Sequence, residues 1–173
     1  MALSATGERA WLEELFRLHH GDLLRLGRVL TGDDAVADEL VQEAFVRAHR
    51  SLVRPRAGAE LAYLRRAVIN LAHGHHRHLR VVRSTPDAPV RPVASAEADV
   101  VAGARRQAVL DAVRRLPDRQ RDCVVLHYYE ELTDVEIART LGISAGSVKT
   151  HLHRARAALA AICLLYTSDA ADE

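Results

Sequence analysis

Apolar residues recur every three or four positions along most of the chain, which is the repeat of an amphipathic helix and not of a strand. The clearest stretch runs from about Asp34 to Ser51, where Ala37, Leu40, Val41, Ala44, Phe45 and Ala48 make one apolar stripe. Asp38, Glu39, Gln42, Glu43 and Arg47 fall on the opposite face. Before it, a helix is predicted from about Thr6 to Leu30, with Trp11, Leu12, Leu15, Phe16, Leu23, Leu26 and Leu30 turned inward. Thr31-Gly32-Asp33-Asp34 stops that helix and caps the next. Pro55 and Gly58 punctuate a loop over residues 53–58. A third helix is predicted from about Ala59 to Arg80, with Leu61, Leu64, Val68 and Leu71 inward. Tyr63, Arg66, Asn70, His73 and Arg77 make a second stripe on another of its faces.

The period is lost over residues 81–102, which hold three of the five prolines and read as a flexible linker. Four more helices follow: about Gly103 to Leu116, Asp118 to Glu131, and a pair within Leu132 to Leu159. Pro117 suits the start of the second of these. The expected fold class is therefore all-α: two small helical domains, residues 1–80 and 103–162, joined by the linker. Composition agrees, since 49% of residues are hydrophobic but only 4% aromatic, and β-branched runs are scarce.

The pair within Leu132 to Leu159 has the layout of a helix-turn-helix, a device for placing one helix in the DNA major groove. Thr133 and Glu136 form a capping box. Gly142 suits the left-handed end of a helix, and Ser144 is a good cap for the next. Val148 and Leu152 give the second helix an inner face. Ser147, Lys149, Thr150, His151, Arg154 and Arg156 are left free to point outward. A bare two-helix packing motif is the alternative. Against it, residues 137–165 contain Arg139, Lys149, Arg154 and Arg156 and no acid, a balance suited to phosphate.

Net charge is only +1, so the distribution of charge says more than the total. Residues 61–86 form a second acid-free segment, with five arginines and four histidines. Its Tyr63/Arg66/Asn70/His73/Arg77 stripe has the ingredients to stack on unpaired bases and hold phosphates. A solvated helix face is the competing reading, and the neighbouring Arg54 and Arg56 tilt the balance toward nucleic acid. The Asp38/Glu39/Gln42/Glu43 patch suits docking of a basic partner; acids placed to complement the helix dipole are the competing account, which fits Asp38 better than Glu43. His73, His75, His76 and His78 are spread around their helix with no nearby Cys or carboxylate, so no metal site is expected and the group reads as a pH-sensitive extension of the cationic face. No catalytic set stands out, so neither an enzyme nor a cofactor is expected. Cys123 and Cys163 do not make a disulfide framework. No signal peptide or membrane span is read, and the expected compartment is the cytoplasm.

Three segments carry a family resemblance. LTGDDAVADELVQEAFVRAHRSL (residues 30–52), AYLRRAVINLA (residues 62–72) and LPDRQRDCVVLHYYEELTDVEIARTLGISAGSVKTHLHRARAAL (residues 116–159) resemble the sigma-70 family of bacterial transcription initiation factors. The resemblance is closest to the extracytoplasmic-function group, which keeps only regions 2 and 4. It implies a factor that binds core RNA polymerase and reads the −10 and −35 promoter elements. Asp38, Glu39, Gln42 and Glu43 match the residues that dock on the clamp helices of the largest subunit; the flap of the second subunit is the other implied contact. Arg54, Arg56, Tyr63, Arg66 and Asn70 match the −10 reader, with Tyr63 where Trp is more usual. Ser147, Lys149, Thr150, His151, Arg154 and Arg156 match the −35 reader, with His151 where Arg is common. An anti-sigma protein is a further implied partner. The rival family is the LuxR-type regulator, which shares the EIA…VK-x-H pattern but not the HRAR run or the LVQEAF helix. A nucleic-acid-processing enzyme with a helix-turn-helix appendage is a rival of another class.

Residues 163–173, CLLYTSDAADE, do not fit the family and resemble translated adapter DNA. The expectation is a non-native tail and a missing natural C-terminus. Without Asp169, Asp172 and Glu173 the net charge would be +4 instead of +1.

Overall fold

A computed structural model describes the backbone of residues 5–51, 55–83 and 100–169. Among these residues there are seven helices and no strand: α1 (Ala5–Thr31), α2 (Asp34–Arg50), α3 (Glu60–Arg83), α4 (Val100–Arg115), α5 (Asp118–Tyr128), α6 (Asp134–Leu141) and α7 (Ala145–Asp169). The chain divides into two compact units, Met1–Val93 and Ala94–Glu173. Helices α3 and α4 each run about three residues into the segment expected as linker, and residues 84–99 lie outside the described set. Helix α7 runs past residue 162 and takes in most of the expected tail.

In the first unit α1, α2 and α3 pack on one another. Leu23 and Leu26 of α1, Ala37, Val41 and Ala44 of α2, and Leu64 and Val68 of α3 are completely buried. Each fully buried Leu or Val contributes about 1.5–3 kcal/mol over its exposed state. The α1–α2 turn is fixed locally. Gly32 takes a positive φ of 77°, and Asp33 caps α2 by accepting from the amides of Ala35 (2.8 Å) and Val36 (3.1 Å). Arg28 reaches across the turn to Asp34 at 2.9 Å. Gly27 lets the two helices approach closely: a Cβ there would stand 3.1 Å from the Ala37 Cβ and 3.3 Å from its Cα.

Two expected faces are displaced. Phe16, read as inward, is 44% exposed, lying on the rim where it stacks on His20 at 4.2 Å and meets Phe45 at 5.1 Å. On α3, Ile69 and Ala72 are buried, while Leu61 and Leu71 are only half-buried. Because α3 contacts both α1 and α2, its buried stripe is broader than one partner would require and is rotated from the expected one.

In the second unit Leu126, Ile137, Val148 and Ala155 are fully buried. Arg121 is buried and ties α4 to α5, donating to the Arg114 carbonyl at 3.2 Å and to Asp118 Oδ1 at 2.8 Å. Burial pushes the Cys123 thiol up to about 11, with the Asp122 charge adding to the effect. The group therefore stays protonated and unreactive. Helix α5 ends at Tyr128, three residues before its expected end. The Tyr129 and Glu130 amides turn back to the Val125 carbonyl, Leu132 bonds Leu126, and Glu131 takes a left-handed φ of 55°.

Candidate functional site

Helix α6 has only eight residues, too few to persist without tertiary support and caps. Both caps are present. The Thr133 amide donates to Glu136 Oε2 at 2.8 Å, and the Glu136 amide donates to Thr133 Oγ1 at 3.4 Å. Gly142 ends the helix at φ 67°, its amide returning to the Ala138 carbonyl. Thr133→Ala is expected to lower the stability of the second unit by about 1 kcal/mol. Chemical denaturation followed by circular dichroism would measure this, and an unchanged midpoint would remove the cap from the account.

Helix α7 is laid on that base through Val148, Leu152 and Ala155. Its start is capped by Ser144, whose Oγ accepts from the Ser147 amide at 3.1 Å. The outer face carries Lys149, Thr150, His153, Arg154 and Arg156, all exposed. His153 was not singled out from the sequence, where it stood only as a neighbour of Arg154. Ser147 is half-buried and its hydroxyl lies 2.9 Å from that of Ser144. Thr150 donates its hydroxyl proton to the Gly146 carbonyl at 3.0 Å, so toward a ligand it acts as an acceptor. His151 is half-buried, with Nδ1 enclosed and without a hydrogen-bond partner among the described residues. Arg156 donates from Nε to the Tyr128 hydroxyl at 2.7 Å, and its guanidinium carbon lies 5.7 Å from the centre of that ring.

In the first unit Tyr63, Arg66 and Asn70 come together. With Ala67 and Arg47 they line an open cleft of about 230 Å³ on α2 and α3. This groups one tyrosine, two arginines and one asparagine, residue types that suit stacking on a base while holding its phosphate. Arg56 is exposed in the loop before α3, its carbonyl accepting from the Ala59 amide at 2.9 Å. Arg54 lies outside the described residues. Arg47 is the member that sequence reasoning placed elsewhere, with the acidic face of α2.

That acidic face is ordered along the helix. Gln42 donates to Asp38 at 2.5 Å, and Glu43 accepts from Arg47 Nε at 2.7 Å. Glu39 is exposed. The histidines of α3 do not form a uniform cationic face. His76 Nε2 lies 2.9 Å from the Leu30 carbonyl, at the end of α1. Burial lowers the pKa of His75 below its ordinary value, against the pull of Asp33 and Glu39. Among the described residues no cluster of three or more His, Cys, Asp or Glu is arranged to hold a metal.

Comparison with known proteins matches both units. The family description Sigma-70 region 2 fits residues 15–81, and Sigma-70, region 4 fits residues 106–159. The chain is 35% identical over 161 residues to the ECF RNA polymerase sigma factor SigM of Mycobacterium tuberculosis, covering 92% of this chain and 81% of that one. It is 36% identical over 157 residues to the RNA polymerase sigma-E factor of Streptomyces avermitilis, covering 90% and 86%. Among solved structures, CnrH in complex with the cytosolic domain of CnrY has a TM-score of 0.65 at 24% identity, over 92% of this chain and 91% of that chain. The sigma factor RpoE from Bartonella quintana, in complex with the anti-sigma factor NepR, has a TM-score of 0.60 at 18% identity, over 87% and 95%. At those identities the two structures speak for the fold alone.

Proposed function

The chain belongs to the sigma-70 family of RNA polymerase sigma factors, in its extracytoplasmic-function group, and from that membership we propose which of its residues meet polymerase and which meet promoter DNA. As a sigma factor it binds core polymerase and directs initiation at promoters. Asp38, Glu39, Gln42 and Glu43 dock on the polymerase clamp helices through the exposed side of α2. Tyr63, Arg66 and Asn70, with Arg54 and Arg56 from the preceding loop, hold the unpaired strand of the −10 element. Lys149, Thr150, His151, Arg154 and Arg156, with Ser147 at the helix start, read the −35 duplex. Phosphate contacts fix affinity and register, while a few base contacts fix sequence. The action is binding, not bond-making.

The observation that supports this reading is that one chain carries two surfaces of different kinds, each with residues suited to nucleic acid. One is the cleft of Tyr63, Arg66 and Asn70, suited to an unstacked base. The other is a helix capped by Ser144 and free of acids from Ala145 to Ser168, suited to a duplex groove. A LuxR-type regulator needs only the second. In vitro transcription with core polymerase over a promoter library tests the reading: core-dependent initiation at a shared pair of elements is expected. Tight duplex binding by the chain alone, with no effect of polymerase, would sink it.

An anti-sigma protein is proposed as a regulator, by analogy with the complexed RpoE of Bartonella quintana. The proposed compartment is the cytoplasm, where polymerase is; among the described residues no helix is long and apolar enough to cross a membrane. Lys149→Ala is expected to weaken −35 duplex binding across many sequences and to lower the slope of log affinity against log salt by about one unit. Titrations at several salt concentrations measure this, and an unchanged slope would refute a phosphate contact.

A further inference from the structure

His151 differs in kind from the other polar residues of α7. It lies three residues after Val148 and four before Ala155, both buried, so it borders the buried stripe of the helix. Ser147 and Arg154, one turn to either side, share that flank. Thr150 and His153 are exposed and lie on the side away from the stripe. A helix seated in a groove by its outer side therefore directs Thr150 and His153 to the floor, where the base edges are. It directs His151 to one wall, where the phosphates of a strand stand.

The ring is half-buried, and the enclosed nitrogen is Nδ1, without a hydrogen-bond partner among the described residues. In a neutral imidazole one nitrogen carries the proton and the other accepts. A proton on Nδ1 would be buried with no acceptor before it, at the full desolvation cost of that N–H. The proton therefore belongs on Nε2, the nitrogen left toward solvent. A doubly protonated ring would carry the same unanswered N–H on Nδ1. Resting on the −35 reading of α7, we infer that His151 is a neutral, single-donor contact: its Nε2–H donates to one backbone phosphate oxygen of the duplex. It helps to fix the register of the helix and adds neither a charge nor a choice of base. Counterion release follows the cations that a protein brings to DNA, so the contact contributes affinity without salt dependence, unlike that of Lys149.

The test uses the full chain assembled with core polymerase and a fluorescein-labelled duplex carrying the −35 element selected from the promoter library, titrated at several salt concentrations. His151→Ala is expected to weaken binding roughly tenfold, by the same factor on duplexes altered at each −35 base pair. It should leave the slope of log affinity against log salt unchanged, where Lys149→Ala lowers it by about one unit. His151→Gln offers an amide donor near the place of Nε2 and is expected to recover most of the loss. A slope lowered by about one unit in His151→Ala would mean that the ring binds as a cation. A loss confined to one base pair would mean that it reads a base, and full affinity would mean no contact; each of these overturns the inference. Nitrogen-15 spectra of the imidazole in the unaltered chain locate the proton directly: a protonated Nε2 and a bare Nδ1 are expected, and the reverse would overturn the inference without any substitution. Lys149→Ala and Arg154→Ala separate it from the reading beneath. If both are as silent as His151→Ala, the −35 reading itself falls; if both weaken binding and His151→Ala does not, only the neutral contact falls.

Discussion

Glu43→Arg is expected to weaken binding to core polymerase by at least about thirtyfold, while leaving the helical content of the chain unchanged. Truncating one partner of a charge pair at an interface costs about 2–5 kcal/mol, and reversal adds repulsion to the loss. The lower end of that range is about thirtyfold in affinity. The fold tolerates the change because the Glu43 side chain is 43% exposed and its bonded partner, Arg47, is on its own helix. Within α2 the new arginine faces Arg47 across one turn, a like-charge contact worth only a few tenths of a kcal/mol. Titration of labelled core polymerase measures the loss, with circular dichroism as the check on folding. Affinity within about threefold of the unaltered chain would place the docking surface elsewhere.

Tyr63→Ala acts at the other end of the same pathway. Stacking of one base on an aromatic side chain is worth about 1–3 kcal/mol, so formation of the open complex is expected to fall by about five- to 150-fold. Core binding should hold, since Tyr63 lines the cleft and not the acidic face. Tyr63→Phe keeps the ring and is expected to keep most of the activity. That pairing tells stacking apart from a hydroxyl contact. A Phe variant as impaired as the Ala variant would move the role of Tyr63 from its ring to its oxygen.

What could be read before folding was local. The capping box of Thr133 and Glu136, the left-handed Gly142 and the Asp33 cap each depend on residues within four positions of one another, and each is present. The stripe of α2 was legible because that helix buries one continuous face. What depended on a second helix was not legible. Ile69 and Ala72 are buried because α3 meets both α1 and α2, and Phe16 is exposed because it lies where that packing thins out. The early end of α5 had no glycine to announce it: Glu131 takes the left-handed position itself. At the site, Tyr63, Arg66 and Asn70 share a helical face and could be grouped from spacing alone. Arg47 joins them only through the placement of α2 against α3, which no spacing within α2 encodes.

The contact between Arg156 and Tyr128 spans 28 residues and was equally hidden. Its consequence is entropic. A free arginine side chain gives up about 2 kcal/mol of rotamer freedom when it is fixed on a ligand. Arg156 has surrendered part of that freedom during folding, held at Nε by the tyrosine hydroxyl. Of its five N–H donors one is engaged there, and four remain for a phosphate. In the proposed −35 contact, the stability of the second unit thus bears a share of the ordering that duplex binding would otherwise have to bear, and the duplex would meet a side chain already set in place.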